Sequence, residues 1–281
     1  MGAQPTHLFY LTSLRCNERC TKCSHWKVRQ HPRMVDVEDV ARAVLSVPSA
    51  EEFCIVGGEP LLFRDRVLHL VHALAATNVR IIIVTNGVQA DETFLEHLVD
   101  RRVHLVFSID TLDPERWKWI RGTDRMEKVI ANFEAAVRLL QPPQISVQSV
   151  LAEETRQDIA EVAEWCERRG IYHSVQDYVA DGFGGSWTPR TDGLVRLGRR
   201  DVQAASAPCA AAERNLSIMP DGSVFTCFQQ PLIPDSEAPL GRLGDQPIEE
   251  ILTSEYAQAV TDRMLGCNLP CKVLKCNQST S

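Results

Sequence analysis

Six short apolar runs alternate with amphipathic stretches, and this alternation limits the fold of the chain more than any other feature. The runs are "LFYLT", "EEFCIVG", "VRIIIVT", "VHLVFSI", "QISVQSV" and "IYHSVQDYV". They are rich in Val, Ile and Phe, as buried strands of a parallel sheet are. Between them lie "DVEDVARAVLSV", "DRVLHLVHALAAT", "DETFLEHLVDRR", "MEKVIANFEAAVRLL" and "RQDIAEVAEWCERRG", whose apolar residues recur at helical spacing. Asp36 and Asp91 stand where N-caps are expected, and Gly170 where a helix should stop. Repeated strand–helix units imply parallel strands with right-handed crossovers. Six units are fewer than the eight of a closed barrel, so the expected fold is α/β, a partial, splayed (β/α)6 TIM-type barrel over residues 1–180.

Near Asp181 the pattern breaks. "DGFGGSWTPRTDG" is rich in Gly, Ser and Pro and reads as a linker over 181–204. A smaller domain is expected over 205–281. In it "NLSIMPDGSVFTC" reads as a hairpin turning at Pro-Asp-Gly, followed by one amphipathic helix, "PIEEILTSEYAQAVTDRML". The tail "GCNLPCKVLKCNQSTS" is too short and too cysteine-rich to hold together without a metal.

A net charge of -7 argues against a non-specific nucleic-acid partner. No apolar run approaches the roughly 20 residues a membrane helix needs, and the amino terminus lacks the parts of a signal peptide. A cytoplasmic location is expected. Ten cysteines in a reducing compartment then point to metal or redox chemistry rather than to disulfides. Cys54 and Cys166 stand alone and read as core residues.

Cys16, Cys20 and Cys23 form a C-x3-C-x2-C run in "SLRCNERCTKCSHW". A closed zinc site or an ordinary iron–sulfur cluster takes four protein ligands, so three leave one position open. The loop follows the first strand, at the C-terminal mouth where barrels place their chemistry. An iron–sulfur cube bound at three irons fits; a zinc knuckle completed by His25 is the alternative. "GGEP" (Gly57, Gly58, Glu59, Pro60) follows the second strand, "TNG" with Asn86 the third, and "SIDT" with Ser108 and Asp110 the fourth. Two glycines let backbone approach a ligand closely.

In this order the motifs resemble those of the radical S-adenosylmethionine (SAM) enzymes, over residues 8–178. The resemblance implies that Cys16, Cys20 and Cys23 hold a [4Fe–4S] cluster whose open iron is chelated by SAM. Reduction then yields a 5′-deoxyadenosyl radical that removes a hydrogen atom from substrate. It also implies that "GGEP" contacts the SAM amino group, that Ser108 and Asp110 face the ribose, and that Gln148 reaches the cofactor. Arg121 and Gly122, in "IRGTDRMEKV", resemble the family's segment leading into the next helix. One departure stands out: the family usually has an aromatic residue before the third cysteine, and here it is Lys22, with Trp26 as a possible substitute near adenine.

The second cysteine group resembles the family's SPASM/twitch extension. Cys209 and Cys227 fit C-x12-G-x4-C around Gly222, and Cys267, Cys271 and Cys276 follow. The resemblance implies a single auxiliary [4Fe–4S] cluster of the twitch type, held by Cys209, Cys227, Cys271 and Cys276, with Cys267 spare. Cys267 as a hydrogen-atom donor would give epimerisation. In the alternative outcome the fully liganded cluster accepts an electron while a base removes a proton, and an alcohol becomes a ketone; the ligand set also leaves open that Cys267 is a ligand in place of Cys271 or Cys276. The first strand starts close to Met1, which leaves no room for a peptide-leader domain, and the chain lacks the Gly-Gly tail of molybdopterin-precursor enzymes. A small polar substrate of the aminoglycoside, aminosugar or aminocyclitol type is expected, with Asp177 and Asp181 as candidate contacts, a peptide being the more distant alternative. A one-electron donor such as flavodoxin or ferredoxin is implied. An electron carrier would explain the cysteines but not the barrel, and a zinc-stabilised binding module would explain the tail but not the open site.

Overall fold

In the computed structural model the described residues are 4–23, 25–27, 33–178, 209, 211–228, 230–232 and 235–267. Their strands are β1 (His7–Leu11), β2 (Glu52–Val56), β3 (Arg80–Thr85), β4 (Val103–Ser108), β5 (Ile145–Leu151), β6 (Tyr172–Asp177), β7 (Asn215–Ile218), β8 (Ser223–Phe225) and β9 (Gly241–Arg242). The helices are α1 (Val37–Leu45), α2 (Arg64–Ala73), α3 (Glu92–Glu96), α4 (Pro114–Arg121), α5 (Met126–Leu139), α6 (Arg156–Glu167), α7 (Ala211–Arg214), α8 (Ile248–Thr253) and α9 (Glu255–Leu265). The chain divides into two compact units. One comprises Thr12–Gln30 and Cys54–Pro189, the other Met1–Leu11, His31–Phe53 and Arg190–Ser281.

In the first unit the strands lie side by side in chain order from β2 to β6. The pairs β3–β4, β4–β5 and β5–β6 are parallel, with Ile81 opposite Val103, Leu105 opposite Ile145 and Ser146 opposite Tyr172. This is the α/β arrangement expected from the alternating runs. Each strand puts alternate residues on one face. Ile55, Ile81, Ile83, Leu105, Phe107, Ile145 and Val147 are buried, as are Val67, Leu70, Val129, Phe133, Val162 and Trp165 of the helices. Phe133 meets Phe107 edge-on at 5.3 Å and Trp165 at 4.7 Å between centroids. Full burial of such a side chain contributes about 1.5–3 kcal/mol.

The alternate positions Cys54, Val56, Ile82, Val84, Ser108, Gln148 and Val150 are half-buried. Cys54 therefore corrects the sequence reading: it lies on the less covered positions of β2, whereas Cys166 is a core residue, 1% exposed.

Chain punctuation follows local chemistry. Asp36 accepts from the Glu38 amide and Asp91 from the Phe94 amide, as N-caps. Gly170 stops α6 at φ 64°. α3 is shorter than its apolar pattern: it ends at Glu96, turn residues follow, and Asp100 takes a left-handed φ of 58° just before β4. α4 was not among the expected helices. Asp113 caps it, Pro114 is its first residue, and Gly122 closes it at φ 65°.

In the second unit β1 has β7 as a parallel partner, with His7 opposite Asn215. β7 and β8 form the expected antiparallel hairpin, turning at Gly222 with φ 87°, and β9 pairs with β8. The single helix expected from "PIEEILTSEYAQAVTDRML" is broken into α8 and α9. Ser254 takes an extended ψ of 149° and its side chain caps α9 at the Ala257 amide, so a local N-cap wins over continuous helix. The expected linker 181–204 lies outside the described residues. Among the described residues no helix is long and apolar enough to cross a membrane.

Candidate SAM and iron–sulfur site

The cysteine loop of the first unit is held from two sides by backbone. On one side the Gly58 amide donates to the Ser13 carbonyl at 2.7 Å, and the Glu59 amide to the Arg15 carbonyl at 2.8 Å. A Cβ on Gly58 would sit 2.2 Å from the Arg15 carbonyl oxygen, and one on Gly57 would sit 2.6 Å from that of Ser13. The close approach that these glycines permit is thus to the cysteine loop itself. On the other side the Arg19 amide donates to Arg121 at 3.0 Å and the Thr21 amide to Ile120 at 2.9 Å, at the end of α4. A Cβ on Gly122 would meet the Arg19 carbonyl at 2.9 Å.

Cys20 is buried, while Cys16 and Cys23 are half-buried. The Cys16 sulfur accepts from the Glu18 amide at 3.4 Å and lies 3.9 Å from Asn86 Nδ2; that of Cys23 accepts from the His25 amide at 3.4 Å. The Cys20 thiol donates to Glu18 at 3.8 Å. Burial pushes the Cys16 thiol up to about 12 and that of Cys20 up to about 11. These are thiols that ionise when a cationic centre binds them. Among the described residues no three His, Cys, Asp or Glu side chains converge as ligands of a single ion. The His25 ring bonds to the Gly57 backbone, and burial lowers its pKa. Trp26 donates its indole N–H to the Cys20 carbonyl at 3.2 Å, with Arg19 and Lys27 over its ring, so here it braces the loop. The donor set fits a cube held by three thiolates: three sulfurs on one clamped loop, two with backbone N–H donors.

Glu59 is 1% exposed. Its carboxylate accepts from the Leu61 amide at 2.9 Å, the Thr85 hydroxyl at 2.7 Å and the Asn86 amide at 2.8 Å. Burial, working against these three bonds, pushes its carboxyl up to about 7. Glu59 therefore ties "GGEP" to "TNG". Asn86 continues the tie, its Nδ2 donating to Asn17 Oδ1 at 2.7 Å. Gly87 has φ 81°, and its Cβ would strike the Phe107 ring at 2.8 Å. Pro60 is buried at the start of a 3-10 turn, Pro60–Phe63.

The assignment of Asp110 to a ribose is corrected by its surroundings. Its side chain is fully buried and accepts from the Val150 amide at 2.9 Å through Oδ1. Its Oδ2 pairs with Lys22 and, at 2.6 Å, with Arg121. Burial pushes its carboxyl up, but the Arg121 and Lys22 cations outweigh this and hold it below the usual range. Arg121 also donates to the Ser108 carbonyl at 2.6 Å and pairs with Glu18 at 3.4 Å. Lys22, the residue standing where an aromatic was expected, thus belongs to a buried set of two cations and two carboxylates beside Cys20. Ser108 is half-buried, and Gln148 donates to Gln176 at 2.9 Å.

Sequence reasoning missed Asn17 and Glu18 altogether and saw Arg121 only as part of a helix approach. An ionisable residue two places before a cysteine and an Arg ahead of a helix-closing Gly were the available signals.

In the second unit Cys209 and Cys227 are buried and Cys267 is half-buried just beyond α9. Cys271, Cys276 and Asp181 lie outside the described residues. Asp177 is the half-buried last residue of β6.

The loop, its two clamps and the parallel sheet define an α/β protein with a three-cysteine site at its strand ends. The radical SAM superfamily profile matches residues 10–166, and the chain belongs to that family. An iron–sulfur cluster-binding domain of the SPASM type matches residues 209–277. The family match makes SAM and a [4Fe–4S] cluster cofactors of the chain, and the SPASM match adds auxiliary iron–sulfur binding.

A GTP 3′,8-cyclase of Sinorhizobium medicae is 27% identical over 183 residues, 60% of this chain and 51% of the cyclase. The chain thus spans about half the length of the curated relatives it matches. Streptococcus suis SuiB bound to S-adenosylmethionine has a similar fold, with TM-score 0.75 at 16% identity, over 96% of this chain and 74% of SuiB. The anSMEcpe structure with AdoMet and Cp18Cys peptide gives 0.69 at 16%, over 96% and 88%. BtrN with AdoMet and 2-DOIA gives 0.55 at 16%, over 94% and 89%.

Proposed function

We propose that Cys16, Cys20 and Cys23 hold the SAM-binding cluster, and that the chain removes a hydrogen atom from a C–H of a small polar substrate. The carrying observation is the cysteine loop itself: three sulfurs clamped between Gly58 and Gly122, two of them accepting backbone amides. Bound together, cluster and SAM supply a 5′-deoxyadenosyl radical on reduction. The chain's own residues keep the site in shape. The Glu18 and His25 amides stabilise negative charge on the Cys16 and Cys23 sulfurs. Glu59 acts through Thr85 and Asn86 as a positioning residue, which leaves the backbone of "GGEP" as the contact for the SAM amino group.

For the fate of the substrate radical, the sequence put epimerisation first: Cys267 gives its S–H hydrogen to the opposite face of the carbon. The thiyl left behind then needs one electron and one proton, for which the auxiliary cluster is the electron source. A second reading is favoured by packing. α7 begins two residues after Cys209 and packs on α9, which ends two residues before Cys267. This supports Cys267 as a ligand beside Cys209. The radical of a secondary alcohol then gives its electron to the auxiliary cluster and its O–H proton to a base, forming a ketone. Both small molecules and peptides occur with proteins of this fold, 2-DOIA on BtrN and a peptide on anSMEcpe.

Anaerobic reconstitution with iron and sulfide tests the proposal. About eight irons per chain, a SAM-perturbed signal in the reduced protein and 5′-deoxyadenosine support it. Stoichiometric zinc without iron uptake refutes it. Turnover in deuterated water separates the outcomes: deuterium at a retained C–H means inversion, a new carbonyl means oxidation.

A further inference from the structure

Two hydrogen-bond donors beside the cysteine loop lack acceptors among the described residues. They are Asn17 Nδ2 and Arg121 Nε, both buried atoms. A buried donor without an acceptor costs about 1–3 kcal/mol, so each such atom calls for an explanation. Asn17 follows Cys16 directly, and its Oδ1 is held by Asn86 Nδ2, which itself lies 3.9 Å from the Cys16 sulfur. The bond orients the Asn17 amide and leaves its NH2 group unused. Arg121 is fixed through its terminal nitrogens by Asp110, Ser108 and Glu18, and its side chain also bonds to Cys20. That fixation leaves Nε–H as the donor without a role. Glu18 Oε1 also stands without a partner among the described residues, but it is an acceptor and cannot serve a sulfur.

We propose that Asn17 and Arg121 donate hydrogen bonds to the sulfurs of the cluster that Cys16, Cys20 and Cys23 hold, and so raise its reduction potential. The inference rests on the cluster assignment above. Its logic is electrostatic. Reduction adds negative charge to a sulfur-rich group in a half-buried loop, and N–H donors aimed at those sulfurs favour the more negative state. Both residues act through the cluster's environment and are positioning residues.

The test uses anaerobically reconstituted full-length protein carrying Asn17→Ala, Arg121→Lys, or both. Arg121→Lys keeps a cation for Asp110 and Glu18 while removing the Nε donor; a single ammonium does not reproduce the forked contacts to Asp110, Ser108 and Glu18, so the fold of this variant is checked by circular dichroism alongside its iron content. Iron content is measured first, then an EPR-monitored redox titration of the signal that SAM perturbs. Full iron content is the result expected. At fixed potential the reduced-to-oxidised ratio should fall for each variant, by about tenfold in the double variant, equivalent to ~59 mV for one electron. Full iron with a ratio within twofold of the parent overturns the proposal, because the donors then do not reach the cluster. Loss of iron in both single variants also overturns it, since the residues would then only hold the loop. Failure of the parent protein to bind iron at all refutes the cluster assignment instead, which keeps the two failures apart.

Discussion

Replacing Glu59 with Gln tests whether this carboxylate is a structural tie rather than a ligand contact. Glu59 accepts three hydrogen bonds through two oxygens: Oε1 from Leu61 and Thr85, Oε2 from Asn86. A glutamine keeps one oxygen. With its amide nitrogen at the Oε2 position, the Asn86 N–H loses its acceptor and meets another donor. Losing one such bond and leaving a buried donor unpaired costs about 1–3 kcal/mol. For a chain of this size that corresponds to a fall of roughly 2–4 °C per kcal/mol in melting temperature. The pH dependence gives a sharper check. The Glu59 carboxyl is raised from 4.5 to about 7. Between those values the folded protein keeps a proton that the unfolded chain has released, so stability falls as pH rises through this window. At most about 3 kcal/mol is involved. Glutamine does not titrate, so the gap between parent and variant should be widest near pH 5 and narrow toward pH 8. Urea midpoints measured across that range decide the matter. A gap that widens with pH refutes the reasoning. So does a variant of parental stability and iron content that no longer binds SAM, because Glu59 would then touch the ligand.

Gly58→Ala should lose cluster iron and melt lower, since its Cβ would lie 2.2 Å from the Arg15 carbonyl, a backbone atom that cannot swing away; iron assay and calorimetry check this. Lys22→Met keeps the apolar stem but leaves Asp110 with one cation instead of two. A loss of up to about 3–5 kcal/mol is expected by urea titration, and calorimetric SAM affinity in the reconstituted variant shows whether Lys22 also borders the nucleoside. Cys267→Ala separates the two fates of the substrate radical. If the thiol is the hydrogen donor, auxiliary iron stays and deuterium incorporation from solvent stops; if it is a ligand, about four irons per chain are lost.

The strands were legible because apolar runs of Val, Ile and Phe between amphipathic segments leave few alternatives. Caps at Asp36 and Asp91 and the stop at Gly170 were legible because each depends on one side chain and its nearest amides. Two kinds of feature were not. The break between α8 and α9 hangs on a single Ser254 side chain competing with helix propagation, which an apolar periodicity does not register. Cys54 read as a core residue because exposure depends on what covers a strand face, not on the strand's own residues.

The site motifs show the same divide. Spacing alone brought out Cys16, Cys20 and Cys23, and the order of "GGEP", "TNG" and "SIDT" marked successive strand ends. The roles of the residues within those motifs were another matter. Gly57, Gly58, Glu59 and Asp110 were read as facing a ligand, yet the glycines admit the cysteine loop, Glu59 holds the next strand's turn, and Asp110 pairs with Lys22 and Arg121. A loop that grips a cluster at three points has to be fixed in register with several strand ends at once, and polar side chains at those ends do so by bonding to one another. Lys22 fits this account. Beside a fully buried Asp110 it completes a set of two cations and two carboxylates with Arg121 and Glu18. Removing any one member leaves the buried set with one charge in excess. Substitutions within the set should therefore be tolerated in pairs of opposite charge more readily than singly, a coupling that a double-mutant cycle on Lys22 and Asp110 would measure.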